Sequence, residues 1–454
     1  MQRSRRENLA MSYRLLVLLT LVVAGIGTPA LAAAEGAKRP NVLLLLADDL
    51  GWGDVGFNGR TEWATPNLDR LAARGTTFKR FYTAAVVCAP SRAALMTGRY
   101  TIHDGVSRNN DDLPAREVTL AEAFKTHGYD TALFGKWHHG QPRDGSKTYV
   151  HPMDQGFDEF FGFTDAKHAW EKYPEQLWHG RELKPVSGYS DDMFADHAID
   201  FLKRHKEKPT PFFLYVPFIN THFNIEAPAE EVALHQGKFT EVDPSKPIRA
   251  TYAAMVTQLD KNVGRIMTAL EGLGLAADTL VVFVSDHGAT FESGNLGASD
   301  YHDSNRPFRG QKRTLWEGGI RVPGVACWPG HVPAGVISNE VVHMTDLFPT
   351  LLAATGAHPE AAWHVDGADL WPTWTGKAKL PERTLFWEWR VEGSNQLAAM
   401  RGPMKLVITS GGRPELFNVE TDPAERRNAI AENPELARQL QNELKAWLAT
   451  ETKD

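Results

Sequence analysis

Cysteine is nearly absent from this chain of 454 residues. Cys88 and Cys327 are the only two, too few for a disulfide framework or a thiolate zinc site. Basic runs are missing as well. No block of Lys and Arg reaches five in a row, and 49 of them face 56 acidic residues, for a formal charge of −7. This speaks against nucleic acid as the main partner. There is no internal repeat and no low-complexity linker, so a solenoid or a string of tethered modules is excluded. Beyond the first 32 residues no apolar stretch is long enough to cross a bilayer. What the chain does have is apolar mass. Hydrophobic residues make up 42%, with 13 Trp and 22 Phe, enough for a sizeable core and incompatible with wholesale disorder.

The N-terminus reads as an export signal. Arg3, Arg5, Arg6 and Arg14 precede the apolar run Leu15 to Ile26, and Pro29-Ala30-Leu31-Ala32 supplies a small-x-small cleavage pattern. Residues 1–32 are therefore expected to be removed, leaving an exported protein, periplasmic or secreted, with no stable membrane insertion. Ser4-Arg5-Arg6 matches a twin-arginine signal only loosely.

Further along, Asn41 to Ala47 is a continuous apolar run suited to a strand buried on both faces. Thr131–Phe134, Phe212–Ile219 and Leu280–Val284 read the same way. Thr65-Pro66 opens a helix, with Thr65 as its N-cap, and Thr119 to Glu122 is a capping box that opens another. Tyr252, Met255, Leu259, Val263, Ile266 and Leu270 are spaced as one face of a long helix. Strands alternating with helices predict an α/β fold, a large mostly parallel sheet sandwiched by helices. After Gly376 the texture shifts to short alternating runs and a final helix opened by Asn433-Pro434. The expected division is a catalytic domain over 33–376 and a smaller C-terminal subdomain over 377–454, with antiparallel strands and that helix.

In an open α/β sheet, ligands bind beyond the carboxyl ends of the strands. Four apolar runs here are followed by chemistry: Asp48-Asp49, Lys136 with His138 and His139, Asn220-Thr221-His222, and Asp286-His287. Three converging carboxylates would repel one another unless a divalent cation joined them. Oxygen ligands without thiolates favour Ca²⁺ or Mg²⁺ over zinc. Pro90 and Gly98 frame a helix that begins near Cys88, where the helix dipole favours an anion. By chemistry alone Cys88 is either a small buried hydrophobe or a thiolate nucleophile.

These residues carry a resemblance. Cys88 to Arg99 reads C-A-P-S-R-A-A-L-M-T-G-R, and Gly128 to Gly140 reads G-Y-D-T-A-L-F-G-K-W-H-H-G. Both resemble the two signatures of the type I sulfatases, in the alkaline phosphatase superfamily. R-P-N-V-L-L-L-L-A-D-D-L-G-W-G-D, S-D-H-G, and E-L-F-N-V-E-T-D-P-A-E-R-R-N follow in family order between about residues 39 and 430. The resemblance implies a sulfuric ester hydrolase that cleaves aryl or carbohydrate sulfates. It implies that a formylglycine-generating enzyme oxidises Cys88 to formylglycine. It implies one Ca²⁺ on Asp48, Asp49, Asp286 and His287, the histidine standing where asparagine is commoner. Arg92, Lys136, His138, His222 and Lys312 match the basic residues around the sulfate. His222 with Lys312 is expected to protonate the leaving alcohol, and His138 to take the proton that releases sulfate. His139 has no assigned role. A phosphonate monoester or phosphodiester hydrolase on the same fold and a non-catalytic binder of sulfated glycans are the alternatives. Cys327 is expected in the core. Trp170, Tyr173 and Trp178 either stack on a sugar or pack a hairpin. His302, Asp303, Arg306 and Arg309, and Asn109, Asn110 and Asp111, are candidates for touching the leaving group.

Overall fold

A computed structural model describes residues 39–140, 150–391 and 393–451 of the chain, and the expected signal segment lies outside them. The strands are β1 (Asn41–Asp48), β2 (Thr76–Tyr82), β3 (Asp130–Lys136), β4 (Glu159–Phe163), β5 (Gln176–His179) and β6 (Glu182–Pro185). They continue with β7 (Phe212–Thr221), β8 (Thr279–Ser285), β9 (Arg321–Val322), β10 (Gly324–Cys327) and β11 (Val336–His343). These form one sheet in the order β11-β2-β10-β8-β1-β7-β3-β4-β5-β6, with β9 paired to β2. The central strands β8, β1, β7, β3 and β4 run parallel, whereas β10, β5 and β6 join antiparallel.

The apolar run of β1 works as its pattern dictates. Val42, Leu44 and Leu46 enter one core layer, and Leu43, Leu45 and Ala47 the other. The first layer holds Ala93 of α1 (Cys88–Thr97) together with Leu120 and Phe124. The second holds Phe194 and Phe201 of α2 (Ser190–His205) and Tyr252 and Leu259 of α3 (Ile248–Gly272). Each such side chain, fully buried, contributes on the order of 1.5–3 kcal/mol. A strand flanked on both faces can then carry its only polar groups at its ends.

One local expectation is corrected. Thr65 does not cap the helix Pro66–Arg74 with its side chain. Its hydroxyl instead accepts from the Gly56 N–H, and the Asp260 carboxylate of α3 takes the N–H groups of Asn67 and Leu68. A long-range carboxylate has replaced the local cap.

A second sheet follows, antiparallel, in the order β12 (Thr384–Val391), β13 (Ser394–Arg401), β14 (Met404–Ile408) and β15 (Glu415–Asn418). Leu440, Leu444 and Trp447 of α4 (Pro434–Leu448) cover one face. Trp387, Trp389 and Met400 on the other face meet Tyr82, Leu315, Trp316 and Ile320 of the larger unit. The α/β class with a mostly parallel sheet and a smaller antiparallel one is the observed architecture. Among the described residues, no helix is long and apolar enough to cross a membrane.

Candidate active site

The carboxyl ends of β8, β1, β7 and β3 are neighbours in the sheet, so Asp48, Asp49, Lys136, His222, Asp286 and His287 meet at one place. Cys88, Arg92 and Lys312 join them from the start of α1 and from the loop before β9. All are buried. Asp49 and His138 adopt left-handed backbone, with φ of 61° and 74°. Such conformations in non-glycine residues are sparsely populated and cluster at functional sites. After His287 the chain needs Gly288, because a β-carbon there would lie 1.8 Å from the Gly318 carbonyl oxygen.

Three cations answer three carboxylates. Lys136 Nζ donates to Asp48 Oδ2 at 2.6 Å, and Lys312 Nζ to both oxygens of Asp49 at 2.9 and 3.1 Å. Arg92 Nη2 lies 3.0 Å from Asp286 Oδ2 and 3.5 Å from Asp48 Oδ1. Burial acts to raise the Asp48 pKa, but Lys136 and Arg92 outweigh it and hold the group well below the usual carboxylate range. In Asp49 burial prevails over Lys312 and His287, and the pKa is raised. Lys312 is pushed up in turn: burial acts to lower it, but the surrounding negative groups, Asp49 first and then Cys88, Glu292 and Asp48, together outweigh it.

The donor set fits a hard divalent cation. Ligand atoms of Asp48, Cys88, Asp286 and His287 lie within 4.8 Å of one another, as do those of Asp48, Asp49, Cys88 and His222. His287 Nδ1 donates to the Gly288 carbonyl at 3.0 Å, which leaves Nε2 as the open nitrogen. That nitrogen lies 3.3 Å from Asp49 Oδ1 and 3.5 Å from Asp286 Oδ1. A ring fixed through its other nitrogen is the usual state of a ligating histidine.

Cys88 Sγ sits 3.1 Å from His287 Nε2 and 3.5 Å from Asp48 Oδ1. Burial, followed by the Asp48 charge, pushes the thiol pKa up. His222 Nδ1 donates to the Phe223 carbonyl at 2.6 Å, and its Nε2 is 4.0 Å from Asp49 Oδ2. His138 has no hydrogen-bond partner on either ring nitrogen among the described residues. Burial first, then Lys136 and Arg92, holds its pKa well below the usual histidine range. His139 is likewise pushed down, to about 3, by burial and by Arg92.

A cavity of about 500 Å³ opens above this floor, lined by His138, His222 and Lys312 and, at its rim, by Arg108, Trp170 and Trp389. Several rim residues escaped the sequence reading. Glu292 ties Arg313 at 2.8 Å and lies 3.7 Å from Lys312. Ser91 and Thr83 hydroxyls each donate to the Asp286 carbonyl at 2.5 Å. Only Ser91 carried a signal, as the serine of C-A-P-S-R. The tail after Gly376 is more than scaffold, since Trp389 and Val391 of β12 line the cavity. The loop before β9 fares differently. His302 is packed between Trp63 and Tyr252, Arg306 pairs with Glu62, and Arg309 lies over Trp316. These residues are structural and none lines the cavity. Asn109 and Asn110 do line it, while Asp111 accepts from the Ser107 and Arg108 N–H groups. Cys327 is buried in the core as expected.

A Sulfatase family model matches residues 40–357. The chain is 35% identical to N-acetylgalactosamine-6-sulfatase of Homo sapiens over 404 residues, which span 82% of this chain and 72% of that protein. It is 34% identical to arylsulfatase A of Homo sapiens over 392 residues, spanning 78% and 72% respectively. The crystal structure of Ps i-CgsB in complex with k-i-k-neocarrahexaose superposes with a TM-score of 0.82 at 31% identity, over 91% of this chain and 94% of that one. With a buried acidic cluster at the strand ends and these likenesses along most of its length, the chain belongs to the sulfatase family, enzymes that hydrolyse sulfate esters.

Proposed function

We propose that the enzyme hydrolyses sulfate monoesters of carbohydrates with formylglycine at position 88 and one Ca²⁺ on Asp48, Asp49, Asp286 and His287. The observation that carries this reading is the setting of Cys88. Cys88 is the first residue of α1, and its Sγ touches Asp48 of the acidic cluster on one side and His287 on the other. A formylglycine hydrate would supply the attacking hydroxyl and the cation would polarise it and the sulfate oxygens.

The chain's own residues do the rest. Three carboxylates and three cations balance at the floor, so a bound dication leaves positive charge that an anionic ester matches. Lys136, Lys312 and Arg92 hold the sulfate oxygens and take up charge as the ester bond breaks. Burial, and then Lys312, keeps His222 well below the usual histidine range, so its imidazole is neutral at rest. Lys312 is the protonated member of the pair, and the leaving oxygen takes its proton from that pair. His138, buried with both nitrogens uncommitted, is the acceptor for the proton that leaves residue 88 when sulfate departs. The relative named N-acetylgalactosamine-6-sulfatase and the neighbour solved in complex with k-i-k-neocarrahexaose support a carbohydrate substrate. Export by the N-terminal 32 residues belongs to the same proposal.

The test is steady-state hydrolysis of 4-nitrophenyl sulfate and a 4-nitrophenyl phosphonate ester by protein co-produced with a formylglycine-generating enzyme. Sulfate turnover that is lost in Cys88→Ala is expected. Preference for the phosphonate ester, or full activity in Cys88→Ala, would overturn the reading.

A further inference from the structure

A second and larger cavity, about 950 Å³, adjoins the first and shares Lys167 and Trp170 with it. Trp170 is 37% exposed and Tyr173 49% exposed, both on its walls. The two cavities meet at an aromatic ladder. The His222 and Phe223 rings are 4.1 Å apart, and the Phe223 and Trp170 rings 5.3 Å. A leaving group departing past His222 therefore emerges across Trp170. Exposed indole and phenol faces with polar edges suit the apolar face and hydroxyl rim of a sugar.

The charge changes sign along this path. Arg108, Lys167, Lys312 and Arg313 stand around the first cavity against a single carboxylate, Glu292. The second is lined by Asp165, Glu171, Glu175 and Glu226 against Lys167 and Lys172. Lys172 is buried and spends its ammonium on the Ile219 carbonyl at 2.7 Å. Carboxylates accept hydrogen bonds from sugar hydroxyls and repel a further sulfate. We propose that this groove binds an uncharged sugar unit next to the sulfated one. The substrate class is then an oligo- or polysaccharide sulfated at intervals rather than on every unit. This rests on the sulfate ester reading above and adds what the alcohol is.

The probe is an array of sulfated oligosaccharides, presented to the full-length Cys88→Ala protein. In parallel, modified enzyme is assayed on 4-nitrophenyl sulfate and on the best-bound oligosaccharide. Glycans whose sulfated unit has an unsulfated neighbour should bind better than those sulfated on both. Glu171→Gln with Glu175→Gln should narrow that preference. Tyr173→Ala should lower the ratio of kcat/KM for the oligosaccharide to that for the aryl sulfate about fivefold, the worth of one aromatic contact. Preference for densely sulfated glycans, or a ratio unmoved by Tyr173→Ala, overturns the proposal. So does aryl sulfate turnover with no glycan bound, a result that leaves the sulfatase reading intact. Failure to hydrolyse the aryl sulfate counts against that reading instead.

Discussion

The floor and the rim of the catalytic cavity are built by different rules. The floor stands on the ends of β8, β1, β7 and β3, strands packed on both faces, and every ionic side chain there is buried and paired. The rim is assembled from loops and from β12 of the second sheet, with exposed residues such as Lys167 and Trp170. A rigid floor fixes one chemistry, and a rim free of that constraint selects what the chemistry is done to.

The largest effect should come from the floor. Asp49→Ala removes a proposed cation ligand and the closest partner of the buried Lys312, the kind of loss that costs about 3–5 kcal/mol. Activity should fall by at least about 10²–10³, and the melting temperature with it. Chelation should lower the melting temperature of the wild-type protein and much less that of Asp49→Ala. Equal shifts in both would break the assignment of Asp49 to the cation.

The two cysteines sharpen the same contrast. Cys88→Ala should abolish turnover with little loss of stability. Cys327→Ala, in the core 3.3 Å from the Arg74 carbonyl, should cost on the order of 1 kcal/mol and leave kcat unchanged. Thermal melts and a single assay of both variants decide it. A Cys88→Ala enzyme as active as Cys327→Ala would remove position 88 from the chemistry.

A smaller effect is expected where floor meets rim. Gln396 of β13 accepts from the Leu315 N–H at 3.0 Å and donates to the Arg313 carbonyl at 2.9 Å, clasping the segment that carries Lys312. Gln396→Ala should lower kcat/KM for any sulfate ester by about 10–100-fold while the fold persists, and Gln396→Glu should keep the acceptor and restore part of it. Unchanged kinetics would mean that Lys312 is positioned without the second sheet. Variants in the adjoining cavity such as Tyr173→Ala should move only the choice between substrates.

The floor was legible because its chemistry sits at fixed offsets from apolar runs. Asp48-Asp49 follows Asn41 to Ala47, and Asp286-His287 follows Leu280 to Val284, so topology alone brings them together. His222 was legible in the same way, after the run Phe212 to Ile219, whereas Lys312 was legible through the resemblance to the family. Of the rim, Trp170, Asn109 and Asn110 were legible as candidates, but Trp389 was not, because it reaches the cavity only when the second sheet docks through Trp387 and Leu315, a contact with no local pattern. The same holds for Asp260, whose capping of the helix at Asn67 spans 193 residues. His302 and Arg306 misled for the converse reason. They neighbour Lys312 in sequence, but the chain turns them onto Trp63 and Glu62.

Formylglycine at position 88 is tested most directly by the mass of the tryptic peptide Phe81 to Arg92 in active enzyme. A species lighter than the cysteine peptide and reactive with a hydrazide is expected, in a fraction that scales with specific activity across preparations. Full activity in a preparation whose peptide is entirely unmodified cysteine would contradict it.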